Sequence, residues 1–435
     1  MRRLAMLAVA LAFAGVAARA AAQSDSRDAI AREYVRLQLE IGARDEGYVD
    51  AYYGPPEVRA AAAANPRSLE ELARAVEELR GRLRGAAAAG LPDRRRVFLE
   101  AQLTAAATRL RMLRGERLSF ADEARGLYGV ELEGLLHPLS HYDPILARIE
   151  RLVPGQGPLA DRVEAFLARF TIPRDRLDAV MRAAIAECRR RTVAYIPLPR
   201  GEAFTLEFVT NQPWSGYNWY QGNFRSLIQI NTDQPVRLSR AVDLGCHEGY
   251  PGHHVYNMLL EQNLARRLGW IEFQLYPLYS PQSFIAEGSA NYGIALAFPG
   301  AERLRFETRV LYPLAGLPTT DAAAYAALQE AIDALTGARF TIARDYLEGR
   351  VTREQAVELT QRYQLMTRSR AEQSVRFTDR YRAYVINYGL GRDMVAAFIE
   401  RAGRNPRARW GAMLRLLSEP VLPVDLRLRA PRSRR

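Results

Sequence analysis

The stretch CHEGYPGHHVYN, residues 246–257, decides how the rest of this 435-residue chain is read. It holds His247, His253 and His254, three of the five histidines in the chain, and Glu248 directly follows the first. Clustered imidazoles beside a carboxylate suit Zn²⁺, because neutral imidazole nitrogen is a good ligand for that ion. A carboxylate next to a metal-bound water can act as its general base, and this pattern gives Glu248 that role.

In a His-Glu-x-x-His zinc helix the second histidine comes four residues after the first. Here that position is Pro251, and the next histidine comes six residues after His247. On a straight helix six residues rise about 9 Å and turn about 600°, which points the side chains apart. Seven residues restore the face, but their rise of about 10.5 Å is too long for two imidazoles to share one ion at about 2.0–2.1 Å. A local distortion is needed. Pro251 removes a helical hydrogen bond and Gly252 permits unusual dihedrals. We read a zinc helix with a two-residue bulge before its second histidine. On that reading His247 and His253 are ligands and His254 is a flanking polar group, with His254 the alternative second ligand.

Further on comes SFIAEGSANYGIALAF, residues 283–298. An isolated Glu287 among Ala, Ile and Phe is costly to bury unless it is paired or binds a metal, which makes it the natural third ligand. Asn291, one turn later, faces the same way.

The N-terminus reads as a signal peptide over residues 1–22. Arg2 and Arg3 form the basic region, residues 4–17 the apolar region, and small residues offer cleavage sites around Ala20 and Ala22. No Cys lies near that site to carry a lipid anchor, and no later stretch reaches the length of a membrane span. The expectation is a periplasmic or secreted protein whose residues 23–435 form one domain. Its two cysteines, Cys188 and Cys246, either pair, or Cys246 is a small buried residue or lies near the metal. The formal charge is +12 and every cation is Arg, since the chain has no Lys. These arginines are mixed with Glu and Asp along helices, which describes a solvated surface. Only residues 426–435 form a basic run, and no nucleic-acid motif accompanies it.

Helical spacing dominates the remainder. Ile30, Tyr34, Leu37 and Ile41 share a face, as do Leu69, Leu72, Val76, Leu79 and Leu83 behind a Ser68–Glu71 capping box. His137 and His141 flank Pro138 and read as structural. Residues 202–210 and 223–233 are rich in β-formers, with Trp214, Tyr217, Trp219 and Tyr220 between them as aromatic and turn residues. The best strand is RSLIQINT, residues 225–232. It either lies at the rim of a cleft and pairs with a peptide, making Gln229 and Asn231 substrate-binding residues, or is a small packing hairpin. The fold expected is mainly α: a large multi-helix domain with a small β element beside the zinc helix.

HEGYPGHH, the downstream AEGSANYG and the late YGLGRDMV resemble the bacterial family called domain of unknown function 885. The resemblance runs from about Tyr34, including GYVDAYYGP, to Met394. That family is similar to gluzincin metallopeptidases, with a fold like angiotensin-converting enzyme and the carboxypeptidase Taq group. The resemblance implies His247, His253 and Glu287 as zinc ligands, Glu248 as base, and Tyr388 as stabiliser of the oxyanion. Arg392, one turn beyond Tyr388, then faces the same cleft. The chain departs from the family at Ser289 and Tyr256, which bears on substrate preference.

The leading expectation is therefore a zinc-dependent peptidase acting on a peptide or small amide. The alternatives are a zinc amidase or esterase acting on non-peptide substrates, and a non-catalytic metal-binding scaffold. The scaffold leaves Glu248 without a role, and a structural zinc is usually closed by four protein ligands where three are evident. No Gly-x-Ser-x-Gly elbow or P-loop supports a serine hydrolase or NTPase.

Overall fold

The computed structural model describes residues 29–85, 90–212 and 214–427. The signal-peptide reading and all but two residues of the basic tail lie outside the described residues. The described chain is mainly helical. No described helix is long and apolar enough to cross a membrane.

Local rules account for many of the helix starts. Ser68 accepts from Glu71 N while Glu71 accepts from Ser68 N, and helix Leu69–Arg84 buries Leu72, Val76, Leu79 and Leu83. Thr352 and Gln355 repeat that box at helix Arg353–Gln364. Each box satisfies two amide donors that the first helical turn leaves open. The apolar faces feed one hydrophobic cluster running from Ile30 to Leu426.

Five strands and five helices build the surroundings of the histidines. The strands are β1 (Val49–Tyr52), β2 (Ala203–Val209), β3 (Gly216–Gly222), β4 (Arg225–Asn231) and β5 (Leu275–Pro277). The helices are α1 (Leu177–Val193), α2 (Leu238–Leu244), α3 (His253–Leu260), α4 (Pro281–Ala297) and α5 (Ile386–Glu400). The larger sheet has the order β2–β4–β3, with β2 parallel and β3 antiparallel to β4. Along β4, Ser226, Ile228 and Ile230 are buried while Leu227, Gln229 and Asn231 are half-buried, the alternation of a one-sided strand.

The aromatic segment between β2 and β4 is not a turn: GYNWYQG forms β3. Its aromatic rings and alternating burial suit a strand despite the glycines at both ends. In consequence β4 is the central strand, not a rim, and both its edges are already paired, so no peptide can add to it. Gln229 donates across to Glu207 at 3.2 Å. Asn231 donates to the carbonyls of Gln212 and Trp214, both at 2.9 Å, and accepts from Asp233 N. These two side chains hold the sheet and its turns.

α4 and α5 approach closely at Gly288 and Gly391. A Cβ on Gly288 would stand 2.6 Å from the Gly391 carbonyl group. Glycine on both helices lets the backbones touch, which a side chain on either would prevent. That contact draws the AEG segment of α4 against the YGLG segment of α5.

Candidate metal centre

α2 leads into a wider π-type turn, Gly245–Gly249, which carries His247 and Glu248. The chain then leaves helical geometry at Tyr250, passes a cis Tyr250–Pro251 bond, and re-enters a helix at His253. The distortion is thus a break and restart rather than a bulge within one helix. Gly252 N donates to Cys246 O at 3.0 Å and folds the chain back on itself. A Cβ at position 252 would lie 1.8 Å from His247 O, so only glycine fits. The restart brings the two imidazoles together at right angles, with Nε2 atoms 3.1 Å apart. The Cys188–Cys246 disulfide ties α1 to the residue before His247.

Glu287 arrives from α4. Its Oε2 is 3.3 Å from His247 Nε2, and its Oε1 is 3.8 Å from His253 Nε2. The three residues offer ligand atoms that all lie within 4.8 Å of one another. Two ligands at about 2.0–2.1 Å from a tetrahedral ion stand about 3.3 Å apart, so the spacing fits zinc. Glu287 is 6% exposed, and its Oε2 is buried with no hydrogen-bond partner. An orphaned carboxylate oxygen 3.3 Å from one imidazole nitrogen, with the second imidazole beside it, is the donor set a divalent cation satisfies. The cluster contains no fourth protein donor among the described residues, which would leave an open coordination position.

Glu248 sits beside this cluster without joining it. Its Oε1 is 4.0 Å from His247 Nε2, and it is 4% exposed. Burial pushes its pKa up to about 7; His247 opposes this, the Glu287 charge adds to it, and Arg240 opposes it. Burial holds His253 down at about 4, so it is a neutral imidazole near pH 7. For His247 burial also favours the neutral form, but Glu248 and Glu287 outweigh it and raise its pKa. β3 passes directly over Glu248. Asn218 Nδ2 donates to Glu248 O at 2.7 Å, and a Cβ on Gly216 would be 2.9 Å from Glu248 Oε1.

His254 points elsewhere. Its Nδ1 meets Ser226 Oγ at 2.8 Å and its Nε2 meets Glu202 Oε2 at 3.1 Å. Tyr250 Oη and Arg189 also donate to Glu202, at 2.5 and 2.6 Å. His254 is therefore a buried bridge between the 246–254 segment and the sheet. Asn291 turns back to its own helix, donating to Glu287 O at 2.9 Å.

Tyr388 is half-buried on α5, stacked edge-on against Tyr384. Burial raises its pKa, and the Glu287 and Glu248 charges bear on its hydroxyl. Arg392 pairs with its neighbour Asp393 at 3.0 Å, and the arginine whose charge reaches both His247 and Glu248 is Arg240. Tyr384, which the sequence did not single out, donates to Glu287 Oε1 at 2.8 Å. Its place four residues before Tyr388, one helical turn away, was the available signal.

No family model and no curated protein matches the chain. Among solved structures, it is similar to a putative lipoprotein from Colwellia psychrerythraea at 15% identity and TM-score 0.49, covering 83% of this chain and 66% of that one. A putative lipoprotein of unknown function from Shewanella oneidensis is similar at 14% identity and TM-score 0.46, over 83% of this chain and 76% of that one. A structure called CHT is similar at 14% identity and TM-score 0.44, over 92% and 91% of the two chains.

Proposed function

We propose that this chain is an exported zinc-dependent peptidase in which His247, His253 and Glu287 hold the ion and Glu248 is the general base. One observation carries the reading. Glu248 is buried at the edge of three converging donor atoms, yet accepts no hydrogen bond from any described residue and stands 4.0 Å from the nearer imidazole. A structural site has no use for such a carboxylate; a hydrolytic site needs one.

When bound, zinc supplies a Lewis acid that polarises a carbonyl and acidifies water. Glu248 takes the proton from the attacking water and passes it to the leaving amine. A value near 7 suits a group that must gain and lose a proton near neutrality, and a bound cation would lower it. Tyr388 is proposed to donate to the developing oxyanion, and β3 is the free sheet edge nearest Glu248. The resemblance to the domain of unknown function 885 family, with its gluzincin-like helical fold, belongs to this proposal. So does export, which the Cys188–Cys246 disulfide supports because such bonds persist in oxidising compartments.

The test is Glu248→Gln, with zinc content and digestion of a broad peptide library measured on the same preparation. We expect unchanged zinc and turnover lower by at least ~10². Digestion as fast as the unsubstituted protein sinks the mechanism. Loss of zinc makes Glu248 a ligand. Hydrolysis of simple esters or amides with no peptide cleaved moves the function to the non-peptide alternative.

A further inference from the structure

Arg339, in helix Ala338–Leu347, is a cation without an acid. Among the described residues its side chain makes no ion pair and no hydrogen bond. The residue as a whole is half-buried, but its Nε is fully buried with no partner. The guanidinium carbon stands 5.0 Å from the Phe377 ring centroid and 5.9 Å from that of Tyr388. Aromatic faces take the flat of a guanidinium and leave its N–H edge unfilled. Burial pulls the Arg339 pKa down, and no carboxylate opposes that; only Tyr388 does. Arginine cannot shed its proton to escape burial. A cation held this way calls for a counter-charge.

The same side chain lines a small cavity between helices Ala338–Leu347, Arg353–Gln364 and Arg368–Tyr381. Its other polar walls are Tyr346, Thr360, Gln364, Ser374 and Thr378, and no Asp or Glu lines it. Two of these hydroxyls are occupied: Tyr346 donates to Asp379 at 2.7 Å and Thr378 to the Ser374 carbonyl at 3.1 Å. Thr360 is only 2% exposed, yet its hydroxyl bonds to no described residue. The Gln364 and Ser374 side chains likewise make no hydrogen bond among the described residues. A hydroxyl as deep as that of Thr360 normally has a partner. An uncompensated cation and a buried free hydroxyl, on two different helices, thus open on one cavity. The room is about 10 Å³, enough for about one water-sized guest. Water would satisfy the hydroxyl but leave the charge unbalanced. That room admits a halide and excludes a sugar phosphate or a peptide.

We propose that this three-helix cavity binds one small monovalent anion, a halide by size, with Arg339 as its counter-charge and the Thr360, Gln364 and Ser374 side chains as neutral donors. The site shares no residue with the metal centre.

Zinc-loaded protein is melted in sodium bromide and in sodium gluconate of equal ionic strength, beside Arg339→Met and a control, Arg376→Met. Methionine keeps the length of the stem and packs on aromatic rings. Arg376 is an exposed arginine on the helix that carries Ser374. Bromide is expected to raise the melting temperature of the unsubstituted protein along a saturating curve by at least ~1 °C, as mass action on the folded state requires. The rise should persist in full in Arg376→Met and shrink in Arg339→Met. A bromide on the zinc would act on all three proteins alike and cancels in the comparison. No rise, a rise linear in salt, or one that Arg339→Met leaves undiminished overturns the proposal. Should Arg339→Met fail to fold, crystals of the unsubstituted protein grown in bromide decide, through the anomalous scattering of that ion. A bromide within ~4 Å of the Arg339 guanidinium is expected. An empty cavity overturns the proposal, and so does a bromide there without the saturating rise, which marks an adventitious ion only.

Discussion

The Tyr384 hydroxyl donates to Glu287 Oε1 at 2.8 Å, which leaves Oε2 as the oxygen that faces His247. Tyr384 in turn accepts from Ser283 at 3.4 Å, and Tyr276 donates to Ser283 at 3.2 Å. This chain of hydroxyls fixes which carboxylate oxygen is presented to a metal. Tyr384→Phe should weaken zinc binding by ~10–100-fold, the usual cost of losing an outer partner of a ligand. Competition with a chelator measures it, and an unchanged affinity would show that the hydrogen bond orients nothing.

The two adjacent histidines should behave differently. His253→Ala is expected to lose the zinc. His254→Ala should keep it but lose on the order of 1–3 kcal/mol of stability, because Glu202 and Ser226 each lose a buried partner. Metal analysis and denaturant unfolding of both variants decide the matter. Zinc lost from His254→Ala and retained by His253→Ala reverses the ligand assignment.

Gly252→Ala should cost at least ~2 kcal/mol, since its Cβ would collide with the His247 carbonyl and the backbone must shift. That same shift displaces His253, so zinc affinity should fall as well. Gly411→Ala serves as the control. It lies in helix Pro406–Ser418 with nothing within 4 Å of an added Cβ, and should stabilise by up to ~1 kcal/mol. Equal melting temperatures for the two variants would remove the steric argument.

Glu202 gives a pH signature. Burial opposes its ionisation, yet His254, Tyr250 and Arg189 outweigh burial and hold it at about 2 instead of the ordinary 4.5. A carboxyl lowered by folding contributes stability that is complete above the unfolded value and lost as pH falls through the folded one. Glu202→Gln should therefore be less stable by ~2–3 kcal/mol at pH 6, with the gap closing between about 4.5 and 2. Thermal unfolding of metal-stripped protein at pH 6, 4 and 2.5 reads this out. A gap of constant size across those values would assign the loss to packing instead.

Much of the helical frame was legible because it is local. The Ser68 and Thr352 caps and the face of Leu72, Val76, Leu79 and Leu83 are set by spacing within a few residues. β3 was misread because glycines at 216 and 222 and a polar Asn218 look like turn residues. Only pairing with β4 and contact with Glu248 make that segment a strand.

The sequence by itself determined which residue types cluster as candidate ligands, the need for a distortion between His247 and His253, and the costly isolation of Glu287 in an apolar helix. Those follow from residue chemistry and helical geometry, which act over one or two turns. Only the tertiary structure decided that the distortion is a break rather than a bulge, and that His254 turns to Glu202. The same holds for Tyr384 steering Glu287. Each of these depends on which distant backbones pack close enough to touch, as at Gly288 and Gly391. That choice is made by the burial of the whole chain, and no single stretch carries it.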